Sequence, residues 1–352
     1  MRRLATVRKI TGFKEIPNRD FIVLALIDGW QAIVHKDEFK EGELVIFCEP
    51  DSVLPAKPEF EFLAKRKYRV TTMKMAGVLS QGLVLPISML RYNNVQLGDD
   101  VTDELNIHHY EGNIDNTVEA PRKPRKEAKW LRRCFPCIYG FFAKKRQQRE
   151  EFPRFLTKTD EERIQNIPYF LGLNTKWTIT EKIDGTSTTF FLRKKLFGYE
   201  FGVCSRNKRL LKPDDTPYWQ MANKLDIKNV LKDLLGKSKW IAIQGECIGP
   251  KIQGNPYKLN EVRFYAFNLI YPSGRIDSYN AYNILEHCKV PFVPILETDV
   301  SFQDKSAQDL INMADGKSKL ADVNREGFVC RSDDGKLSFK AVSPKYLLAK
   351  GE

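Results

Sequence analysis

The stretch WTITEKIDGTSTTFF, residues 177–191, joins two strand-like segments through a short centre of lysine, carboxylate and glycine. Both flanks are rich in β-branched and aromatic residues, which favours a strand on either side of a turn. Lys182 ends the first flank, Asp184 follows two residues later, and Gly185 allows a sharp turn. Two interpretations stay open at this point: an ordinary hairpin with a solvated ion pair, or a lysine nucleophile.

The chain has 352 residues, more than one hydrophobic core usually covers, so two domains are expected. It contains no run of about 18 apolar residues and no secretory leader, which predicts an intracellular protein without a membrane span, cytoplasmic or nuclear. The odd number of cysteines, seven, favours reduced thiols. Cys134 and Cys137 form a C-x-x-C pair, but no second pair or nearby histidine completes a zinc site.

The formal net charge of +12 favours a polyanionic partner such as nucleic acid. Most of it lies between residues 121 and 149, the basic segment, where eleven lysines and arginines accompany one acid, Glu127. The basic segment is either a solvated linker or a contact surface for a phosphate backbone. A membrane-surface role fits less well, because the apolar centre spans only about ten residues.

Residues 1–105 contain many short strand-like runs separated by turns, including two runs around Asp28 and Gly29. This pattern predicts a small β-barrel, of which the OB-fold is the commonest nucleic-acid binder. Residues 106–150 are expected to form a basic linker. Residues 151–352 mix strand-like runs with helical ones, which predicts an α+β domain with a largely antiparallel sheet.

Three segments of this second domain have helical signals. Residues 278–288 and 306–315 show the helical period. Residues 159–167 begin with Thr159 or Asp160 as a possible N-cap and continue with acids in the first turn, which predicts a helix start there.

Five later segments carry charged or aromatic residues near strand ends, in a fixed order: SRN (205–207), QGECIG (244–249), RFYAFNL (263–269), EGFV (326–329) and SFKAV (338–342). Together with Lys182 and its neighbours, this ordered set resembles the motifs of the covalent nucleotidyltransferase superfamily, which includes polynucleotide ligases and mRNA capping enzymes. The resemblance extends from Lys182 to Val342.

The resemblance implies that Lys182 attacks the α-phosphorus of ATP, releases pyrophosphate and carries AMP as a lysyl phosphoramidate. Asp184, Glu246 and Glu326 would hold a hydrated Mg²⁺ or Mn²⁺, a hard ion that prefers carboxylates and water. Lys340 would neutralise the α-phosphate. The metal and Lys340 would also lower the pKa of Lys182, because each adds positive charge nearby.

The same resemblance implies the nucleotide contacts. Arg206 would contact the ribose or the incoming 5′-phosphate, with Asn207 beside it. Phe267 and Val329 would enclose the adenine from opposite sides, and Glu181 would face the adenine edge. Each of these residues could instead be an ordinary core or strand-end residue, and the ordered set is what favours the functional interpretation.

The last motif departs from the family pattern. The superfamily often has Lys-x-Lys there, whereas this chain has Lys340, Ala341 and Val342. The role of the second lysine is taken by Lys345 or is unused.

The position of the β-rich module selects a branch of the superfamily. Only 12 residues follow Lys340, too few for the OB domain that DNA ligases and capping enzymes carry there, and the one β-rich module precedes the catalytic domain. This order is similar to one family of ATP-dependent RNA ligases, as are LSQGLVLP (79–86) and FPRFLTKTDEERIQ (152–165). In the latter, Lys158 and Arg163 are candidates for the triphosphate or the RNA 5′-phosphate; the alternative is an exposed helix start with charge pairs.

The sequence therefore predicts an ATP-dependent RNA ligase that joins 3′-OH and 5′-phosphate ends, favouring duplex nicks, through lysyl-AMP and AppRNA. A monomer with a role in RNA repair is expected. The alternatives are a DNA or mixed-strand ligase, a capping guanylyltransferase, and an inert nucleic-acid-binding protein. The intact Lys182, Asp184, Glu246, Glu326 and Lys340 argue against the last of these.

Overall fold

The computed structural model describes residues 3–91, 94–110, 149–211 and 216–350. The basic segment, apart from Arg149, and the Cys134/Cys137 pair lie outside these residues, so the expectations about them stay predictions. The boundaries given for the two domains and the linker also stay predictions.

The N-terminal module consists of short antiparallel strands. They are β1 (Ala5–Lys9), β2 (Gly12–Glu15), β3 (Ile22–Ile27), β4 (Trp30–His35), β5 (Leu44–Cys48), β6 (Ser52–Val53), β7 (Met73–Met75), β8 (Val78–Ser80), β9 (Leu83–Pro86) and β10 (His108–His109). β1, β5 and β9 form one three-stranded sheet, and β2, β3 and β4 form another. Buried side chains from both sheets share one core, among them Val23, Trp30 and Phe47. The predicted β-rich module is confirmed.

The C-terminal domain contains two larger sheets. Their strands are β11 (Arg149–Glu151), β12 (Glu162–Arg163), β13 (Trp177–Lys182), β14 (Thr186–Lys194), β15 (Tyr199–Cys204), β16 (Lys208–Leu210), β17 (Trp240–Ile248), β18 (Arg263–Tyr271), β19 (Gly274–Arg275), β20 (Ile295–Val300), β21 (Gly327–Ser332) and β22 (Ser338–Val342). One sheet has the order β11-β16-β15-β14-β17-β18-β19 and the other β12-β22-β21-β13-β20. The β12–β22 pair is parallel and the other pairs are antiparallel, as the sequence predicted.

Five α-helices flank these sheets: α1 (Pro217–Lys224), α2 (Ile227–Leu235), α3 (Ser278–His287), α4 (Ala307–Ala314) and α5 (Pro344–Lys350). Short 3₁₀ helices lie at Pro58–Arg66, Ile87–Met89, Ile164–Asn166 and Pro168–Gly172. α1, α2 and α3 cover the seven-stranded sheet, and α4 covers the five-stranded one through Leu310. The helices predicted near 278–288 and 306–315 are confirmed. Every helix among the described residues is too short or too polar to span a bilayer.

The helix predicted over residues 159–167 is wrong. Glu162 and Arg163 form β12 beside β22, and a 3₁₀ turn follows at Ile164–Asn166. The cause is tertiary: Glu161 makes an ion pair with the buried Arg331, which draws this segment onto the sheet edge. Acids that resemble a helical first turn are used here in long-range contacts instead.

The connection between β13 and β14 brings the two C-terminal sheets together. β13 belongs to the five-stranded sheet and β14 to the seven-stranded one, so the turn at Ile183–Gly185 passes from one to the other. A Cβ atom at Gly185 would lie 2.4 Å from the Cys247 carbonyl oxygen and 2.8 Å from Cγ of Glu246. Glycine is therefore required for close approach to β17, and this approach places Lys182 near Glu246.

Asn166 links the N-terminal module to the C-terminal domain. Its side-chain oxygen accepts hydrogen bonds from Nη2 of Arg8 at 3.0 Å and from Nε1 of the buried Trp30 at 3.3 Å. Its amide nitrogen donates to Glu49 and Glu162. One polar side chain thus holds groups of both domains, and its loss would leave several partly buried polar groups without this contact.

We expect Asn166→Ala to lower the free energy of unfolding by about 1–3 kcal/mol, the usual cost of leaving buried polar groups unsatisfied. Chemical denaturation, with limited proteolysis to detect release of the N-terminal module, measures this. Asn280→Ala is the matched control, because the Asn280 side chain contacts Asp277 at the start of its own helix. Equal stability of the two variants would contradict the linking role.

Candidate active site

Lys182 lies in a cleft of about 420 Å³ that strands of both C-terminal sheets line. Its Nζ atom is 2.6 Å from Oε1 of Glu326. Register explains the contact: Lys182 pairs with Gly327 across β13 and β21, so Glu326 comes directly beside it. Gly327 has a φ of +150°, and a Cβ atom there would lie 2.1 Å from the Ala341 carbonyl oxygen. The Lys182 side chain is 25% exposed, and β13 and β14 belong to different sheets, so the interpretation as an ordinary hairpin with a solvated lysine is wrong.

Three carboxylates determine the charge state of Lys182. Burial alone would lower the pKa of its amine, but Glu326, Glu246 and Asp184 together raise it above its ordinary value. Lys340 does not oppose them, because its Nζ atom lies 3.1 Å from Asp160. Among the described residues the carboxylates therefore outweigh Lys340, and the Lys182 amine is an ammonium at neutral pH. The lowering of its pKa by a metal ion stays a prediction.

The carboxylates are themselves perturbed. Burial raises the pKa of Glu246 to about 8, against the opposing effect of Lys182. Burial likewise raises the pKa of Glu326. Burial disfavours the ionised form of these carboxylates, and a further cation bound beside them would stabilise that ionised form.

The donor set fits a hydrated divalent cation. Oε2 of Glu326 is buried and has no hydrogen-bond partner among the described residues, so it is an acceptor available to a metal-bound water. Among the residues that the structure describes, no three His, Cys, Asp or Glu side chains lie close enough together to hold a metal ion directly. Contact through water is the mode that Mg²⁺ favours near phosphates. The ligand roles of Asp184, Glu246 and Glu326 remain predictions.

The opposite part of the cleft has apolar and aromatic walls. Phe267 on β18 and Val329 on β21 both line it, one from each sheet. The buried Arg331 stacks on the Phe267 ring at 5.3 Å and so fixes it. Glu181 also lines the cleft, where its carboxylate accepts hydrogen bonds from the Ser318 hydroxyl at 2.5 Å and the Lys319 amide at 2.8 Å. These walls can hold a flat heterocycle.

In a third part of the cleft, two cationic side chains surround the Asp160 carboxylate. The two Asp160 oxygens contact Nη2 of Arg206 at 3.3 Å and Nζ of Lys340 at 3.1 Å. Arg163 lines the same cleft and stacks over Trp30 of the N-terminal module at 5.2 Å. Arginine and lysine clusters of this kind bind phosphate groups.

Most of the predicted site residues meet in this one cleft: Arg163, Glu181, Lys182, Asp184, Arg206, Glu246, Phe267, Glu326, Val329 and Lys340. Lys158 and Asn207 contact each other at 3.1 Å and, among the described residues, are not part of its lining. The lining does not test the individual roles of any of these residues.

Sequence reasoning missed several lining residues. The sequence gives Asp160 a possible role as an N-cap and gives Arg331 no role in the site. Lys350 on α5 follows the last motif, beyond the segments that the resemblance covers. The N-terminal module also contributes, through Arg69 stacked 3.9 Å above Tyr110. For Lys350, the sequence contains one local indication: its i, i+4 spacing from Tyr346 places the two side chains on one face of a helix.

The buried Glu161–Arg331 ion pair yields a stability prediction. Although burial would raise the pKa of Glu161, the Arg331 guanidinium 3.1 Å away lowers it below its ordinary value. A depressed carboxylate pKa stabilises the fold above the unfolded-state pKa, and this contribution is lost as the pH falls through the folded-state pKa.

We therefore expect Glu161→Gln to cost about 3–5 kcal/mol at neutral pH, because it leaves Arg331 as an uncompensated buried charge. The deficit relative to wild type should shrink as the pH is lowered through the acid range, in denaturation measured from pH 7 to pH 3. Glu297→Gln, at an exposed strand position, is the control. A deficit that does not change with pH would contradict this account.

Comparisons with known proteins agree on both halves of the chain. A family model described as an OB-fold domain matches residues 4–87, and one described as RNA ligase matches residues 175–346. A comparison with curated proteins found no match.

Among solved structures, the chain is similar to an RNA ligase from Naegleria gruberi, with 30% sequence identity. A variant of that ligase with AMP and Mn covers 98% of both chains at a TM-score of 0.81, and so does a variant with ATP and Mn. The form with PPi covers 99% of this chain and 98% of its own, at a TM-score of 0.80. The identity extends over nearly the whole length of both proteins. This chain belongs to the RNA ligase family.

Proposed function

We propose that this ligase uses ATP and a divalent metal ion to join an RNA 3′-OH to an RNA 5′-phosphate, with duplex nicks as its favoured substrate. The observation that carries the proposal is the surroundings of the Lys182 amine: Glu326 pairs with it, Glu246 and Asp184 act on its charge, and the Arg206–Asp160–Lys340 cluster lines the same cleft. A nucleophile that shares one cleft with a cation site and a phosphate site suits nucleotidyl transfer.

The relatives support the nucleotide and the metal. The Naegleria gruberi ligase has been solved with ATP and Mn, with AMP and Mn, and with PPi. These molecules correspond to a substrate, a transferred group and a leaving group of lysine adenylylation. We assign ATP as the nucleotide of this chain and Mg²⁺ or Mn²⁺ as its metal, held by Asp184, Glu246 and Glu326.

In the first step, Nζ of Lys182 forms a bond to the α-phosphorus while the bond to the bridging pyrophosphate oxygen breaks. Before this attack, the ion pair with Glu326 must open and the amine must lose a proton. The divalent ion would supply positive charge that stabilises the triphosphate and favours the neutral amine. Lys340 and Arg206 exchange Asp160 for phosphate oxygens, and Phe267 and Val329 orient the base.

In the second step, an RNA 5′-phosphate oxygen attacks the phosphorus of lysyl-AMP, and the Lys182 amine leaves, giving AppRNA. In the third step, an RNA 3′-OH attacks the 5′-phosphorus, and AMP leaves. All three steps are in-line displacements, so positioning and charge neutralisation supply most of the rate enhancement. The same phosphate-binding cations can serve each step in turn.

The N-terminal module supports the assignment of RNA as substrate. Arg69 and Tyr110 from this module line the same cleft as Lys182, together with Asp51 and His109. An aromatic ring with a stacked guanidinium is a common element of nucleic-acid surfaces. We place the RNA strands near the break against this module and assign a role in RNA repair, with the protein acting as a monomer.

Gel sealing assays on a substrate panel test this function. We expect sealing of a nicked duplex with a ribose 3′-OH and a 5′-phosphate, and none when the 5′ end is a hydroxyl. Lys182→Ala should abolish sealing, whereas Lys176→Ala, a surface lysine near Asp299, should seal at the wild-type rate. Equal sealing of a deoxyribose terminus would replace the RNA preference with a mixed-strand ligase. Labelling by GTP rather than ATP would contradict the nucleotide assignment.

A further inference from the structure

Helix α5 (Pro344–Lys350) directs two side chains at one carboxylate of the candidate metal site. The Tyr346 hydroxyl donates a hydrogen bond to Oδ2 of Asp184, and Nζ of Lys350 lies 2.9 Å from the same oxygen. Tyr346 and Lys350 are four residues apart, so they occupy the same helix face. The Lys350 side chain is 27% exposed and lines the cleft that contains Lys182.

This cleft has a position at which the chain lacks a lysine. Val342 lines the cleft two residues after Lys340, where the superfamily often has the second lysine of its last motif. Lys345, one candidate to replace it, is 72% exposed and lies 3.5 Å from Asp315. Lys345 is not part of the cleft lining among the described residues. Lys350, five residues after Lys345 on the same helix, is part of that lining.

The charges in the cleft favour a further cationic side chain that can bind the triphosphate. Asp184, Glu246 and Glu326 all act on the Lys182 ammonium. The Nζ atom of Lys340 pairs with Asp160 at 3.1 Å. A triphosphate entering the cleft adds several negative charges, and interactions at a partly buried position are screened less than at the surface.

We propose that Lys350 is the second lysine of this active site: its ammonium pairs with Asp184 before the nucleotide binds and contacts the phosphate chain of the nucleotide during adenylylation of Lys182. The inference rests on the proposed function, whose first step it deepens. Lys350 exchanges one anionic partner for another: it leaves the Asp184 carboxylate and pairs with a phosphate oxygen. The Asp184 carboxylate then binds the metal ion. Tyr346 keeps α5 in place through this exchange.

The exchange predicts two effects of opposite sign. Lys350→Met keeps most of the aliphatic stem and removes the charge. Without the competing ammonium, Asp184 should bind a cation more readily, so nucleotide-free Lys350→Met should bind Mn²⁺ about tenfold more tightly, as expected for the loss of one charged hydrogen bond. Transfer of AMP to Lys182 should be slower by about 100-fold, the effect of losing one preorganised donor to phosphate charge.

Two measurements on the full chain test these effects. Electron paramagnetic resonance of free Mn²⁺ gives its affinity without nucleotide, and single-turnover labelling with α-³²P-ATP gives the rate of adenylylation. Lys350→Arg should restore much of the rate, because it restores the cation. Lys336→Met is the matched control: this lysine is 80% exposed and pairs with Asp334, and the variant should equal wild type in both measurements.

Each alternative outcome has a distinct meaning. A wild-type rate for Lys350→Met overturns the proposal while leaving the proposed function intact. A parallel loss of Mn²⁺ affinity, rate and thermal midpoint overturns it too, since this would show that Lys350 only clamps α5 to Asp184. A wild-type protein that forms no labelled adduct overturns the proposed function, and this inference with it.

Discussion

The ion pair between Nζ of Lys182 and Oε1 of Glu326, 2.6 Å apart, is the interaction on which the rest of the site depends. It raises the pKa of the amine that has to act as a nucleophile. In this arrangement the Lys182 amine is protonated and cannot act as a nucleophile. Asp184 holds Lys350, and Asp160 holds Arg206 and Lys340. Binding of metal and nucleotide then exchanges these ion pairs. Phosphate oxygens replace the aspartates as partners of the lysines and the arginine, and the metal ion replaces Lys350 as the partner of Asp184.

The fold makes this exchange possible by bringing two sheets into contact at one turn. Lys182 lies at the end of β13 in the five-stranded sheet, and Glu246 lies on β17 in the seven-stranded one. The separation between them is set by Gly185, where any side chain would collide with β17. Gly327 acts within the five-stranded sheet: a Cβ atom there would collide with the Ala341 carbonyl oxygen on β22, so glycine lets β21 and β22 pair closely beside Glu326. Both glycines are therefore needed to position the charged residues of the site.

The sequence predicted what local pattern and motif order encode, and it missed what depends on contacts distant along the chain. Strand-like runs predicted β13, β14, β17, β18, β21 and β22. Nine predicted residues in or beside the ordered motifs line one cleft, together with Arg163 from the stretch before Lys182. The segment at 159–167 was assigned to a helix because its acids resemble a first turn, whereas Glu161 pairs with Arg331, 170 residues later. Lys350 was missed for a related reason: no spacing within the motifs indicates that α5 folds back onto Asp184. Contacts of this kind become visible only when the sheets are assembled.

The most direct test of this account is mass spectrometry of the intact protein after incubation with ATP and Mn²⁺, followed by peptide mapping of the adduct. The account predicts the addition of one AMP, located on Lys182 and removed by mild acid, as expected of a phosphoramidate. Chelation of the metal should prevent the adduct from forming. An unmodified protein under these conditions, or an AMP located on a lysine other than Lys182, would contradict the account.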